Sequence, residues 1–540
     1  MLDKRTLAGF FVALAVMTQP LAAADSPLAD AAMRGDRAAV QALLRQKSNV
    51  NVAQGDGSTA LHWAAYRDDV EMARLLIAAG ADMKAVTRVG KITPLFMAAQ
   101  TGNAAILALM IDAGAAVNSG NANGTTPLML AAASGKADAV KVLLTHGANA
   151  NAKDITNGQT AAMFAAAAGR TDVVRELVAR GADLNVITPV SEIINMAERY
   201  KRETGGKGTR GITGEGGRSD VNAMGGMTAL LFAAREGHLD TVQALVAAGA
   251  NVNLVSANDG MSPLVSGIIN GHFDVALFLL DNGANPKLAT TGGLAPLYAT
   301  IDAQWPERTW YPPPSVTEEK TTHVVLLKAL LDKGAAPNAR MGKKLWFRTF
   351  HGDWIQPEGA TAFWLAAKAN DVPAMKILVA GGANPTVRST AGATPLSAAA
   401  GFGIEPQVTN FAPDSRLAAV KYLVEECGAD VNARDNQGYT PLHGAALTAD
   451  HALINYLVAM GGDVTVKAKN VFGGVGESDK EVVGEVGDTV ADMANGPRAH
   501  NMQYPETVKL LEALGSENSN YCRYSTCVIN TLAAPKKKQP

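Results

Sequence analysis

Thr59-Ala60-Leu61-His62, Thr93-Pro94-Leu95-Phe96, Thr126-Pro127-Leu128-Met129 and Thr160-Ala161-Ala162-Met163 are four variants of one phrase, its threonine returning after 34, 33 and 34 residues. The phrase comes back at Thr228, Ser262, Ala295, Thr361, Thr394, Thr440 and Thr489. A fixed period of this size means stacked small units, each contacting its neighbours, in place of one globular core.

The residues of one unit dictate its shape. Thr126 accepts from the free amides of a first helical turn, and Pro127 fits at the first helical position because no donor is needed there. Ala131 and Ala132 keep this inner helix thin enough for close approach, and Gly135 ends it. A second, outer helix over about Ala137 to His146 places Val140, Leu143 and Leu144 on one face, and Gly147 supplies the left-handed residue that stops it. One such pair buries too little to be stable alone; stacking extends the core repeat by repeat.

An Asn/Asp-x-Gly-x-Thr-Pro-Leu-x-x-Ala-Ala opening and a Leu-Leu-x-x-Gly-Ala-Asn/Asp close, as in Asn123 to Ala132 and Leu143 to Asn149, resemble the ankyrin repeat over about residues 27–515. The resemblance implies an all-α solenoid of about 11–12 helix-turn-helix repeats with short hairpin fingers, and protein binding on its concave face. Units open near Gly57, Gly90, Gly124, Gly158, Gly226, Gly260, Gly293, Gly359, Gly392, Gly438 and Gly487. Leu28 to Leu44 lacks the Thr-Pro opening, and with Arg34, Asp36, Arg37, Arg45 and Lys47 it reads as a polar N-terminal cap.

Lys4 and Arg5, the apolar run Leu7 to Met17 and Ala22-Ala23-Ala24 predict a secretory signal peptide cut near Ala24. The apolar run is too short to span a bilayer, and no later stretch reads as a membrane span. The expected location is periplasmic or secreted. Cleavage leaves 46 basic and 49 acidic residues, a charge of about −3, with no global pull toward nucleic acid or a membrane surface. Cys522 and Cys527, close together in the tail, are expected to form a disulfide in an oxidising compartment. The expected organisation is a leader at 1–24, cap and repeats at 25–186, a flexible Gly-rich insertion at 187–225, repeats at 226–515 and a tail at 516–540.

Interruptions mark where a repeat protein acquires something specific. Besides 187–225, the period breaks at 302–320, 339–358, 402–414 and 465–486. The first of these insertions opens on a helical stretch, Val190 to Arg202, and continues into glycines that do not match a phosphate-binding loop, since Lys201 and Gly208 stand where glycine and Ser/Thr are required. Two insertions are aromatic. The 302–320 segment carries Trp305, Trp310 and Tyr311; the 339–358 segment carries Lys343, Lys344, Trp346, Phe347, Arg348, His351 and Trp354. Such clusters of rings and cations form partner-binding hot spots or grip sugars, and they also serve to pin long loops onto a stack.

No His-Glu-x-x-His or Gly-x-Ser-x-Gly occurs. Five of the nine histidines, His62, His146, His238, His272 and His443, sit at fixed points of the repeat, and acids such as Asp82, Asp183 and Asp430 fall at repeat turns where they bond local amides. No catalytic residue, cofactor or metal site is expected. The reading is a non-enzymatic scaffold binding a protein partner through finger tips (Gln54 to Asp56, Asn121 to Asn123, Asn436) and inner-helix residues (Trp63, Tyr66, Phe96, Met129). The alternative is a small-molecule or glycan-binding accessory subunit of an exported enzyme, using the tryptophan loops.

Overall fold

In the computed structural model, the described residues are 26–192, 223–257, 259–306, 314–342, 358–402, 411–412, 415–469, 487–495 and 504–518. They fall into two compact units divided after Asp183. The leader, most of the aromatic insertions and the tail with Cys522 and Cys527 lie outside them.

The first unit is five helix pairs: α1 (Pro27–Arg34) with α2 (Arg37–Arg45), α3 (Ala60–Tyr66) with α4 (Val70–Ala78), α5 (Pro94–Thr101) with α6 (Ala104–Asp112), α7 (Pro127–Ser134) with α8 (Ala137–Thr145), and α9 (Ala161–Ala167) with α10 (Thr171–Ala179). In the second unit seven inner helices, Ala229–Arg235, Pro263–Ile269, Pro296–Gln304, Ala362–Lys368, Pro395–Ala399, Pro441–Leu447 and Val490–Ala494, are each followed by an outer one. The all-α repeat architecture is therefore as the phrase predicts. The capping threonines act as their position requires: the Oγ1 of Thr93, Thr228, Thr361 and Thr394 each accepts from the amide three residues on. Inner-helix residues such as Leu61, Ala64 and Ala65 are completely buried. The paired alanines let neighbouring helices approach closely.

Ten of the eleven unit-opening glycines adopt positive φ, from Gly158 at 63° to Gly438 at 92°. Gly487 is the exception: it stands beside an isolated bridge from Lys467 to Thr489, where a Cβ would collide with the Ala468 carbonyl.

Two hydrogen-bond systems join successive repeats. At the finger edge, one amide reaches back per repeat: Arg88 to the Asp56 carbonyl, Ala122 to Gly90, Ile155 to Asn123 and, in the second unit, Thr390 to Glu358. At the outer end, an asparagine two residues past the asparagine that ends the outer-helix turn (Asn49, Asn149, Asn251) makes a two-way bridge. Asn51 donates to the Gly80 carbonyl and accepts from the Asp82 amide; Asn151 does the same with Gly181 and Asp183, and Asn253 with Gly283 and Asn285. We refer to this as the asparagine seam.

Two local expectations are corrected, and one outer helix departs from the regular pattern. Ser191–Glu192, read as the start of a helix, is a short strand paired antiparallel with Ala223–Met224; pairing with the returning limb overrides the local helical pattern. Asp302 to Gln304, read as the start of a loop, continue the inner helix from Pro296. The outer helix Arg416–Lys421 widens into a π-helical turn at Tyr422–Glu426. The stretch Leu423 to Gly428 is one residue longer than the equivalent Leu378 to Gly382, and the π turn absorbs the extra residue. Cys427 closes that turn, and burial pushes its thiol pKa up, which suits packing and not nucleophilic attack.

Candidate interaction surface

The helical period decides which side chains of an inner helix face outward. The second, third, fifth and sixth residues pack inward, leaving the fourth and seventh on one exposed stripe. In the first unit the fourth residues are Asp30, Trp63, Met97, Leu130 and Phe164, all half-buried; the seventh are Met33, Tyr66, Gln100, Ala133 and Ala167, half-buried or exposed. Tyr66 is 58% exposed. Phe96 and Met129, expected on the binding face, are instead buried. They are third residues, about 100° around the helix from the fourth, so the outward positions in those repeats belong to Met97 and Leu130.

The finger helps shape this face. Gln54, at the first finger, accepts from the Trp63 indole N–H at 2.7 Å and donates to Asp30 at 2.6 Å, and Trp63 meets Tyr66 edge to face with centroids 5.8 Å apart. Gln54 thus fixes the Trp63 ring plane by a hydrogen bond from above. Two fingers of this unit carry bare apolar tips, Val89 at 86% and Ile155 at 80% exposure.

In the second unit the fourth positions are mostly closed, while the seventh residues Arg235, Ile269 and Asp302 stay exposed or half-buried. The fourth residues Phe232, Ser266, Ala299, Ala398, Gly444 and Met493 are buried, with only Leu365 half-exposed among the described ones. Lys368, a seventh residue, is 5% exposed. Phe402 lies against Tyr439 with ring centroids 4.9 Å apart, and Gly444 has space for no Cβ because the Phe402 amide is 2.6 Å from where it would sit.

Of the sequence-predicted partner residues, Trp305 falls among the described ones; Trp310, Tyr311, Lys343, Lys344, Trp346, Phe347, Arg348, His351 and Trp354 lie outside them. Trp305 caps the end of its inner helix and donates its indole N–H to Asp371 Oδ2 at 2.7 Å. The same oxygen lies 2.8 Å from His323 Nε2, while Asp371 Oδ1 caps the next outer helix by accepting from the Ala374 amide. Burial by itself would raise the Asp371 pKa, but the bonds from His323, Trp305 and Ala374 outweigh it and hold the carboxyl below its usual range. An Asp-His pair of this kind also occurs in hydrolases, yet here the histidine's partner on the carboxylate is an indole and the acid is a helix cap. Arg340, at the start of the 339–358 insertion, donates to the carbonyls of Gly359 and Arg388. Sequence reasoning missed Asp371 and His323, because neither lies in an insertion.

His62 and His443, at the same point of the repeat, are built into it. His62 Nδ1 lies 3.1 Å from the Thr59 amide and Nε2 2.9 Å from the Ile92 carbonyl of the next finger, a geometry that calls for the Nε2–H tautomer. Burial lowers the pKa of His62, and drives that of His443, which occupies the same place, down to about 3. Among the described residues no cluster of His, Cys, Asp or Glu has metal-binding geometry, and no helix is long and apolar enough to cross a membrane.

A family model of ankyrin repeats in three copies matches residues 28–121, 95–188, 212–290 and 363–468, together more than half of the sequence. The chain belongs to the ankyrin-repeat family. Over 102 residues it is also 33% identical to alpha-latrocrustotoxin-Lt1a of Latrodectus tredecimguttatus, a stretch amounting to 19% of this chain and 6% of the toxin. The ankyrin match fits the inner-outer helix pairs, the Thr caps and the finger edges described above, and ankyrin repeats as a class mediate protein-protein interaction.

Proposed function

We propose that this ankyrin-repeat chain is an exported, non-enzymatic scaffold that holds a partner protein on the concave face formed by its inner helices and fingers. The observation that carries this reading is the open stripe of the first unit: five successive inner helices present half-buried or exposed fourth and seventh residues on a backbone already tied at finger edge and asparagine seam. A surface ordered before the partner arrives loses little conformational entropy on binding, so modest contacts suffice for affinity. Export rests on the leader-like residues 1–24, and a periplasmic or secreted location follows from it.

The test uses the mature chain as bait in an extracytoplasmic extract, with N-terminal sequencing of the exported form. A defined protein recovered in stoichiometric amount, and a mature start near Asp25, are the expected results. Absence of any specific protein, or an uncut N-terminus in the cytoplasm, would remove the reading. Recovery that is unchanged by Trp310→Ala with Trp346→Ala removes the aromatic loops from the interface and leaves the stripe.

A further inference from the structure

One repeat of the second unit shows how this chain covers a fourth-residue ring. On the inner helix Ala229–Arg235 the fourth residue, Phe232, is roofed by the seventh, Arg235, whose guanidinium carbon stands 5.2 Å from the ring centroid. Tyr422 and Tyr456 are met in the same way by Lys376 and Lys421, at 5.2 and 5.5 Å. A cation over a ring face is held by the negative charge of the π cloud.

On α3 the same two positions hold Trp63 and Tyr66, so a second ring stands where Arg235 supplies the charge. Among the described residues no lysine or arginine lies over either ring. An indole is the ring that attracts a cation most strongly. This one is half-buried, whereas Phe232 under its arginine is buried.

Gln54 gathers a carboxylate and a thioether beside these rings. Its Nε2 donates to Asp30 Oδ1 at 2.6 Å and lies 3.8 Å from the Met33 sulfur, while its Oε1 accepts the Trp63 indole N–H. Trp63, Tyr66, Met33 and Asp30 therefore border one corner of the inner face, with Tyr66 and Met33 exposed. Gln54 carries no charge, so it leaves the Asp30 carboxylate unneutralised, and Asp30 Oδ2 has no partner among the described residues. The charged groups around the corner are mixed in sign and mostly engaged. Arg67 donates to the Met33 carbonyl and lies back over Gly35, Arg37 is paired with Asp69, and Asp56 accepts from Ser58. Arg34 is exposed at the end of α1.

The corner thus has what the Phe232 site has, a ring at the fourth position, together with a carboxylate in place of the built-in cation. With Oδ1 taken by Gln54, one oxygen is left to face a ligand, which suits the point charge of an ammonium better than the two-pronged guanidinium. Resting on the scaffold reading above, we infer that Trp63, Tyr66 and Asp30 form a subsite for an alkylammonium group, supplied by a lysine of the bound partner.

The experiment uses the full mature chain with 5-fluorotryptophan in place of tryptophan, read by fluorine NMR, the Trp63 signal being identified by its loss in Trp63→Phe. N-acetyl-lysine methylamide is titrated at constant ionic strength against its arginine and norleucine counterparts. The lysine compound is expected to shift the Trp63 signal saturably and at least about threefold more tightly than the arginine compound; the uncharged norleucine compound leaves the signal in place. Asp30→Asn and Tyr66→Leu are each expected to weaken lysine binding at least about threefold, whereas Arg34→Ala leaves it undiminished. The unmoved signal of Trp364, which is buried, reports that each variant is folded. Equal response to the lysine and norleucine compounds, tighter binding of the arginine compound, or full affinity in both the Asp30 and Tyr66 variants overturns the inference. A partner captured from extract by wild type and lost by Asp30→Asn supports a lysine of that partner as the occupant. Capture by both alike keeps the scaffold reading and sinks this one; capture of nothing by either removes the scaffold reading, while the Trp63 signal still decides the subsite.

Discussion

Trp305 donates its indole N–H to Asp371 across 66 residues of sequence, and His323 reaches the same carboxylate oxygen from a third helix. The carboxylate ties the root of the 302–320 insertion to two neighbouring outer helices at once. Asp371→Ala removes a helix cap and leaves two half-buried donors without their acceptor, for an expected loss of about 3 kcal/mol. Asp371→Asn keeps an acceptor oxygen and should lose about half as much. Urea unfolding of the full chain by circular dichroism ranks the two; equal stability of Asp371→Ala and wild type would show that the carboxylate ties nothing.

Acid should weaken the fold well before carboxylates titrate. His443 is buried neutral with its pKa driven to about 3 by burial, against the Asp488 carbonyl pulling the other way, while in the unfolded chain a histidine titrates near about 6.5. Below that pH the unfolded state binds a proton that the folded state refuses, so stability is fully present above about pH 7.5 and falls as pH drops toward 3, by about 1.4 kcal/mol per pH unit. His62, lowered in the same direction by burial, adds to the slope. His443→Gln should be less stable than wild type at pH 7.5, yet lose about 2 kcal/mol less between pH 7.5 and 5. Parallel pH profiles for the two proteins would refute the assignment.

Two glycines with similar backbone angles predict different outcomes. Gly249 has φ 89° and open space where a Cβ would stand, whereas Gly226 has φ 69° and the Ala257 amide 2.2 Å from that point. Gly249→Ala should therefore cost only the left-handed penalty, about 1 kcal/mol, and Gly226→Ala at least about 3 kcal/mol because backbone must move. Thermal melts of the two variants check the order, and a reversed ranking contradicts the geometry.

Removing one bridge of the asparagine seam should be felt locally. Asn151→Ala deletes both bonds to the next repeat, with an expected cost of about 1–2 kcal/mol. Hydrogen exchange should show faster exchange at the Asp183 amide, which donates to Asn151. Unchanged protection there would mean that the bridge is dispensable in solution.

The repeating phrase made the helix pairs, caps and stop glycines readable because each follows from a local rule: a threonine oxygen facing free amides, a proline where no donor is needed, a glycine at positive φ. The outward-facing stripe was only half readable. Trp63 and Tyr66 do face outward, but Phe96 and Met129 are one residue off the stripe, and a pattern of apolar residues does not by itself say which of two adjacent ones is core. Asp371 was not legible, because its partners Trp305 and His323 come from the preceding repeat and the intervening insertion changes the spacing. The asparagine of the seam was in plain view at Asn51, Asn151 and Asn253, and the clue was its constant place two residues after the asparagine that ends each outer-helix turn (Asn49, Asn149, Asn251).

The seam has one more consequence. Asn51, Asn151 and Asn253 bind peptide groups of the next repeat, so the joint depends little on the neighbour's sequence or on how much chain lies between. Asn51 and Asn151 reach partners 31 and 32 residues on, but Asn185 is bonded by the amide of Asn251, 66 residues on, and Asn338 by that of Asn384, 46 on. Extra chain is simply looped out between two identical clasps. A protein joined this way can gain, lose or exchange an insertion without renegotiating the contacts that hold its repeats in line, which makes the insertions the freest ground on which new specificity can be tried.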